Sequence, residues 1–109
     1  MLIRIVRMTF QEDKINPFLT LFESVKHQIR AFPGCQHLEL LRDLDHPNVY
    51  MTYSYWASPD ALENYRQSDL FKITWAVTKI LFAEKAIAFS VERLEEVEPS
   101  APGPNPETH

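Results

Sequence analysis

The order of strand-like and helix-like runs along the chain is the feature that most constrains its fold. Residues 1–9 are rich in β-branched and aliphatic residues and too short for an ordinary helix, so they predict a strand. Residues 15–32 carry apolar side chains at helical spacing, with Asn16 as a possible N-cap and Pro17 at the first helical position. A Pro-Gly pair then predicts the end of this helix.

Two more strand-like runs follow, at 35–44 and 49–57. Turn-forming residues join them, which predicts an antiparallel hairpin. Ser58, with a proline and an aspartate after it, predicts the cap of a short helix, and Ser68 offers a second cap for a helix that extends to about residue 82. An alternating apolar run at 85–94 predicts the last strand.

The predicted order is therefore β-α-β-β-α-β, with a second helix that is broken near Ser68. This is the order of the ferredoxin-like split βαβ motif, an α+β fold with a four-stranded antiparallel sheet. We expect that domain to occupy residues 1–97. The prolines that follow prevent regular pairing, so residues 98–109 are predicted to form a proline-rich C-terminal tail.

Both faces of the predicted sheet look apolar. In the last strand Ile87, Phe89 and Val91 alternate with small residues that would suit the opposite face. Helices on one face would leave the other as a large exposed apolar patch, which usually marks an interface. We therefore expect a homodimer in which two sheets pack into a dimeric α/β barrel; the alternative is that the tyrosines of the third strand are ordinary surface residues.

Charge and cysteine content exclude several classes of function. The net charge of −4 argues against a nucleic-acid-binding surface, and no apolar run reaches the ~20 residues of a membrane helix. With no leader-like N-terminus, the expected location is the cytoplasm. The single cysteine, Cys35, excludes an intrachain disulfide, and no histidine has a strong metal-ligand spacing, so we expect neither a metal nor a cofactor.

The run from Trp56 to Tyr65, followed by Ser68-Asp69-Leu70-Phe71, resembles the strand-end tryptophan, capped helix and Ser-x-x-Phe segment of antibiotic-biosynthesis-monooxygenase domains. The likeness extends over residues 1–94. It implies a dimeric ferredoxin-like barrel with a ligand pocket between each sheet and its helices. It also implies one of the activities found in that family, which include cofactor-free oxygenation of quinols and polyketides, haem degradation and isomerisation.

The residues at the matching positions argue against haem degradation as the main function. The haem-degrading members use an asparagine, a tryptophan and a histidine, and these fall here at Val6, Tyr65 and Trp75. No axial iron ligand is therefore evident. We expect instead a cofactor-independent monooxygenase that acts on a small aromatic, quinol-like or polyketide compound.

The candidate catalytic residues are Trp56 and His37. Trp56 matches the strand-end tryptophan of polyketide oxygenases, although their companion asparagine and tyrosine fall here at Thr52 and Leu62. His37 would act as a general base near neutral pH, and Glu39, two residues further on, would lie on the same side of the strand. The competing interpretation is a structural histidine–carboxylate pair on a partly exposed strand.

The predicted substrate-binding residues are Glu39, Tyr53, Tyr65, Phe71 and Trp75, whose aromatic rings would stack on a planar ligand. Arg4 and Arg7 of the first strand point to opposite faces of the sheet, so at most one of them would reach the pocket and hold an anionic group. The alternative function is a non-enzymatic dimeric module that binds a small hydrophobic or aromatic ligand in the pocket, or a partner through the tail.

Overall fold

The structure, a computed structural model, describes residues 1–100; residues 101–109, most of the predicted tail at 98–109, lie outside the described residues. A single 3₁₀ turn at Glu12–Lys14 precedes the first helix. The elements are β1 (Leu2–Thr9), α1 (Ile15–Arg30), β2 (Cys35–Arg42), β3 (Val49–Trp56), α2 (Pro59–Arg66), α3 (Asp69–Lys79) and β4 (Ile87–Glu92).

The four strands form one antiparallel sheet in the order β2-β3-β1-β4. The predicted α+β ferredoxin-like fold is thus confirmed, including the break in the second helix. Helices α1, α2 and α3 contribute side chains to the same face of the sheet, which we call the helix-covered face. We call the opposite face, where no helix packs within residues 1–100, the open face.

Local capping explains why α2 and α3 are separate helices. The Ser58 hydroxyl accepts a hydrogen bond from the Ala61 N–H at 3.1 Å, and the Ser68 hydroxyl accepts one from the Phe71 N–H at the same distance. Each serine satisfies an N–H group that a helix start leaves without an intrahelical partner. Both predicted caps are confirmed, and the second one starts a new helix directly after α2 ends.

The predicted cap of α1 is wrong. The helix begins at Ile15, and Asn16 lies inside its first turn, so its side chain caps nothing; the N-cap position belongs to Lys14, which makes no capping hydrogen bond with its side chain. Pro17 still fits, because a residue in the first turn needs no N–H for an intrahelical bond. The preceding 3₁₀ turn, which supplies this helix start, has no clear signal in the sequence.

The turn that ends α1 also positions α2. The Cys35 N–H donates to the Phe32 carbonyl at 2.9 Å, and Gly34 has a φ of +89°, the pattern of a type II turn with proline before glycine. A β-carbon at Gly34 would lie only 2.5 Å from the Ala61 Cβ. Glycine therefore permits both the turn and the close approach of α2.

Two buried clusters fill the space between sheet and helices. The larger centres on Phe10, which is fully buried and stacks on Phe18 with 4.2 Å between ring centroids. The smaller brings together Cys35, Trp56 and Leu62, at the end of the sheet where α2 begins. Between these clusters the packing leaves room for a cavity.

The open face carries the exposed apolar residues of the edge strand β4. Ile87, Phe89 and Val91 are 53%, 45% and 42% exposed. They lie in register with β1 residues of the same face, Ile3 opposite Val91 and Ile5 opposite Phe89. No helix within residues 1–100 is long and apolar enough to cross a membrane.

Candidate functional site

The cavity between the helix-covered face and the helices has a volume of about 380 Å³. Small-molecule sites in proteins span ~300–1,000 Å³, so a compact ligand fits. Alternate residues of the two central strands form its floor, because successive side chains of a strand point to opposite faces. The floor residues are Arg4, Val6, Met8, Thr52, Ser54 and Trp56.

Trp56 anchors one end of this floor. It is 1% exposed, and its indole N–H donates to the buried Ser54 hydroxyl at 2.9 Å. The two residues share a face of β3 because they are two apart. The hydrogen bond fixes the indole ring and satisfies its one polar group, so Trp56 presents an aromatic surface to the cavity rather than a proton donor.

An aromatic wall continues from Trp56 across the two helices. Tyr65 on α2 stacks on Trp56, with 4.9 Å between ring centroids and 25° between planes. Phe71 lies edge-on to Tyr65 at 5.2 Å, and Trp75 stacks almost parallel to Phe71 at 5.8 Å and 9°. The break at Ser68 makes this arrangement possible, because it lets side chains from two helices face one space.

The ionisable groups that line the cavity are few. Among residues 1–100 they are Arg4, Arg66 and Tyr65, and no histidine, carboxylate, lysine or cysteine is among the lining residues. Burial, and secondarily the nearby Cys35, raise the pKa of the Tyr65 phenol far above its usual value. The cavity therefore holds aromatic surface, hydroxyl groups and positive charge, but no side chain suited to act as a base at neutral pH.

His37 and Glu39 are together, as predicted, but on the open face. The His37 Nε2 atom contacts the Glu39 carboxylate, and the His37 ring lies 4.6 Å from the ring of Tyr55. Tyr53 lies in the same group, 5.4 Å from Tyr55. The sheet separates this cluster from the cavity, so these three predicted site residues do not line the cavity of their own chain.

A β-bulge explains this placement. Cys35 pairs with Trp56, but His37 pairs with Tyr55, so β2 holds one extra residue at Gln36. Without the bulge His37 would lie opposite Ser54 and face the cavity. A single extra residue moves every following side chain of the strand to the other face.

The other predicted site residues do meet at one place. Trp56, Tyr65, Phe71 and Trp75 all line the cavity. So does Arg4, whereas Arg7 lies on the open face in register with Met51. The earlier expectation that at most one of the two arginines reaches the cavity thus holds, and the structure identifies which.

Val6, Thr52 and Leu62 also line the cavity, and among these three only Thr52 carries a polar group, a hydroxyl. Sequence reasoning missed Arg66, which follows Tyr65 on α2 and also lines the cavity. Its position one residue from a predicted binding aromatic was the only available signal. Residues 1–100 contain no group of three or more His, Cys, Asp or Glu side chains placed to hold a metal ion.

Comparison with known proteins adds the following. The family model described as antibiotic biosynthesis monooxygenase matches residues 1–75. A solved antibiotic biosynthesis monooxygenase is 17% identical with a TM-score of 0.81, covering 87% of this chain and all of the other. A protein from Mycobacterium tuberculosis is 20% identical with a TM-score of 0.81, covering 89% and 98%.

A mutant of SnoaB, a cofactor-independent oxygenase from Streptomyces nogalater, is 18% identical with a TM-score of 0.77 and covers 88% of this chain and 95% of its own. The TM-scores establish a common fold. Among curated proteins no sequence matches the chain.

Proposed function

The chain belongs to the antibiotic biosynthesis monooxygenase family, and from that premise we propose that it is a cofactor-independent monooxygenase of a small aromatic, quinol-like or polyketide compound. The observation that carries the proposal is the aromatic wall of the cavity, formed by Trp56, Tyr65, Phe71 and Trp75. Stacked and edge-on rings suit a planar ligand. The likeness to a cofactor-independent oxygenase supports the same reaction class.

Such a reaction takes all its electrons from the substrate. A hydroquinone and O₂ become a hydroxyquinone and water, and a ring CH₂ group and O₂ become a carbonyl group and water. In both cases one oxygen atom stays on carbon, and the other leaves as water with two hydrogens of the substrate. The substrate must first lose a proton to become an electron-rich anion, and that anion must be stabilised. In the cavity the apolar walls would exclude water, and the two arginines would stabilise the anion.

In this proposal the aromatic residues bind and orient the substrate. Trp56 and Tyr65 would hold one side of the ring system, and Phe71 with Trp75 the other. The predicted role of Trp56 as a catalytic residue becomes one of orientation, since its N–H already bonds to Ser54. His37 would have a part only if the open face contributed to a site.

Oxygen uptake with a panel of dihydroxyaromatic compounds tests the proposal. We expect turnover by the wild-type protein and a loss of at least ~10-fold in kcat/KM for Trp75→Ala, because the stacked wall is removed. Ile73→Ala, an exposed residue of the same helix, serves as the matched control and should retain the wild-type rate. Absence of uptake with every compound, or equal rates in both variants, would contradict the proposal.

The test of His37 is separate. The sheet separates it from the cavity of its own chain, so His37→Ala should retain the wild-type kcat/KM. A loss of ~10-fold or more would restore it as a candidate base, acting at a site that includes the open face.

A second function is favoured by one observation, the lack of a base among the lining residues within 1–100. A cavity without a proton acceptor suits a non-enzymatic module that binds a small hydrophobic or aromatic ligand. Native mass spectrometry of the purified protein would then show a retained ligand. A retained ligand without oxygen uptake would favour this function over the first.

We further propose that the protein is a homodimer that covers the open face. Ile87, Phe89 and Val91 would otherwise expose a contiguous apolar strip along β4. Light scattering after size-exclusion chromatography at micromolar concentration should give twice the chain mass, and Phe89→Lys should shift the protein toward the monomer. Leu44→Lys, which changes a fully exposed turn residue, should not. A monomeric wild-type protein would contradict the proposal.

A further inference from the structure

The charges that line the cavity are all of one sign. Within residues 1–100 the lining includes two guanidinium groups, Arg4 from β1 and Arg66 from α2, and no carboxylate. The chain as a whole carries a net charge of −4, so this local excess of positive charge opposes the overall balance. A confined space with positive walls attracts an anion.

Arg4 is the more buried of the two. Its side chain is half-buried, and one nitrogen, Nη1, donates to the Ser90 hydroxyl at 3.1 Å. No carboxylate of residues 1–100 lies within 4.0 Å of it. A guanidinium has five N–H donors, so most of them are available to a ligand.

The surroundings of Arg4 disfavour its positive charge. Burial first, and the charge of Arg66 second, lower the pKa of its guanidinium, although arginine stays protonated at neutral pH. A bound anion would relieve both effects, since it supplies a counter-charge and accepts hydrogen bonds that water otherwise provides. This is the expected behaviour of a site that is complete only with its ligand.

Arg66 contributes less charge on its own. Its Nη1 atom lies 3.1 Å from the Glu63 carboxylate, one turn earlier on α2, and both side chains are about half exposed. Glu63 does not line the cavity and leaves the remaining donors of Arg66 unoccupied. Arg66 nevertheless lines the same cavity as the aromatic wall.

We propose that Arg4 and Arg66 form an anion-binding end of the cavity, and that the ligand is a planar aromatic compound that carries an anionic oxygen, either a carboxylate or an ionised hydroxyl. The inference rests on the proposed function only in using the same cavity. It narrows the substrate class to anions. It also gives the arginines a role in a cavity without a base, because their positive charge favours the ionised form of the substrate.

Calorimetric titration with naphthoate and naphthamide tests the inference. The two compounds have the same ring system and differ in charge. We expect the full-length wild-type protein to bind naphthoate at least ~10-fold more tightly than naphthamide, as charge-assisted bonds to arginine predict. Naphthol, titrated across the pH range in which it ionises, tests the ionised-hydroxyl alternative, and its affinity should rise as it loses its proton.

The variants identify the residues responsible. Arg4→Gln should weaken naphthoate binding ~10-fold and leave naphthamide binding within ~2-fold, and Arg66→Gln should do the same to a smaller extent. Lys72→Gln removes one positive charge from an exposed position of α3 and is the matched control, with no expected change. Arg4→Lys keeps the positive charge at this position and should retain most of the preference for naphthoate over naphthamide. This variant shows whether the loss in Arg4→Gln comes from the charge or from a folding defect.

Three results would overturn the inference. The first is equal affinity of the wild type for naphthoate and naphthamide, with no rise in affinity as naphthol ionises. The others are an equal loss of affinity for both ligands in Arg4→Gln and the absence of binding by every compound. None of them requires turnover. Oxygen uptake on an uncharged aromatic compound, without any preference for anions, would leave the proposed monooxygenase intact and remove only the anion site.

Discussion

Replacement of Gly34 by alanine should destabilise the fold through two separable effects. At a φ of +89° an L-residue pays a backbone cost of roughly 1–2 kcal/mol. The new methyl group would also lie 2.5 Å from the Ala61 Cβ, against ~3.5–4.0 Å for an ordinary carbon contact. Overpacking of this kind costs about 1–3 kcal/mol, so we expect a total loss of ~2–5 kcal/mol.

A second substitution separates the two effects. Ala61→Gly removes the opposing methyl group and, alone, should cost ~1 kcal/mol through the lower helix propensity of glycine. In the double variant the clash disappears while the backbone cost at Gly34 remains. The double variant should therefore be ~1–3 kcal/mol more stable than the sum of the two single losses predicts.

The assay is urea unfolding followed by tryptophan fluorescence and circular dichroism at one fixed protein concentration, since a dimer makes stability concentration-dependent. Strict additivity of the two substitutions would refute the close approach of α2 to the turn. A loss below ~0.5 kcal/mol in Gly34→Ala would refute the backbone argument as well. Because α2 carries Tyr65 and Arg66, the single variant should also weaken ligand binding.

Three further predictions follow from local features. Burial raises the pKa of the Tyr65 phenol, so the folded state keeps a proton that the unfolded chain releases near pH ~10. The free energy of unfolding should therefore fall above about that pH, and it should fall less steeply in Tyr65→Phe. Urea unfolding at a series of pH values measures both. Burial also raises the pKa of the Cys35 thiol, which should react with an aromatic disulfide reagent much more slowly at pH ~8 in the native protein than in urea; equal rates would contradict its burial. Ser58→Ala should cost ~1 kcal/mol in the same unfolding assay, and no loss would show that the cap to Ala61 is dispensable.

The fold was predictable because its signals are local. Ser58 and Ser68 mark their helix starts within three residues, and the strands alternate plainly enough to fix their number and order. The start of α1 was misjudged because Asn16 and Pro17 resemble a cap and first helical residue, whereas a 3₁₀ turn begins the helix earlier. A proline in the first turn is compatible with either start, so the sequence alone does not choose.

The residues of the cavity were only partly predictable, because the face of the sheet that the helices cover is not encoded within any one strand. Alternation shows that Arg4 and Arg7 point to opposite faces, but both faces are apolar, so nothing in β1 itself tells which face the helices cover. The structure brings His37 and Glu39 together, but on the open face; the sequence does not show this position, because a bulge leaves no mark in composition. Trp56, Tyr65, Phe71 and Trp75 all line the cavity, because large aromatic side chains are usually placed in a core, an interface or a ligand pocket.

The bulge at Gln36 makes the side chains that line the cavity depend on where β2 carries its one extra residue. If β2 carried its extra residue beyond Glu39 instead, Gln36 would pair with Tyr55 and His37 with Ser54, and His37 and Glu39 would turn to the cavity wall in place of Leu38. A shift of the bulge by a few positions along this edge strand is thus enough to place a histidine–carboxylate pair beside the ligand with no change in sequence. The same amino-acid sequence therefore presents either an apolar or an ionisable strand face to the cavity, according to the position of the bulge.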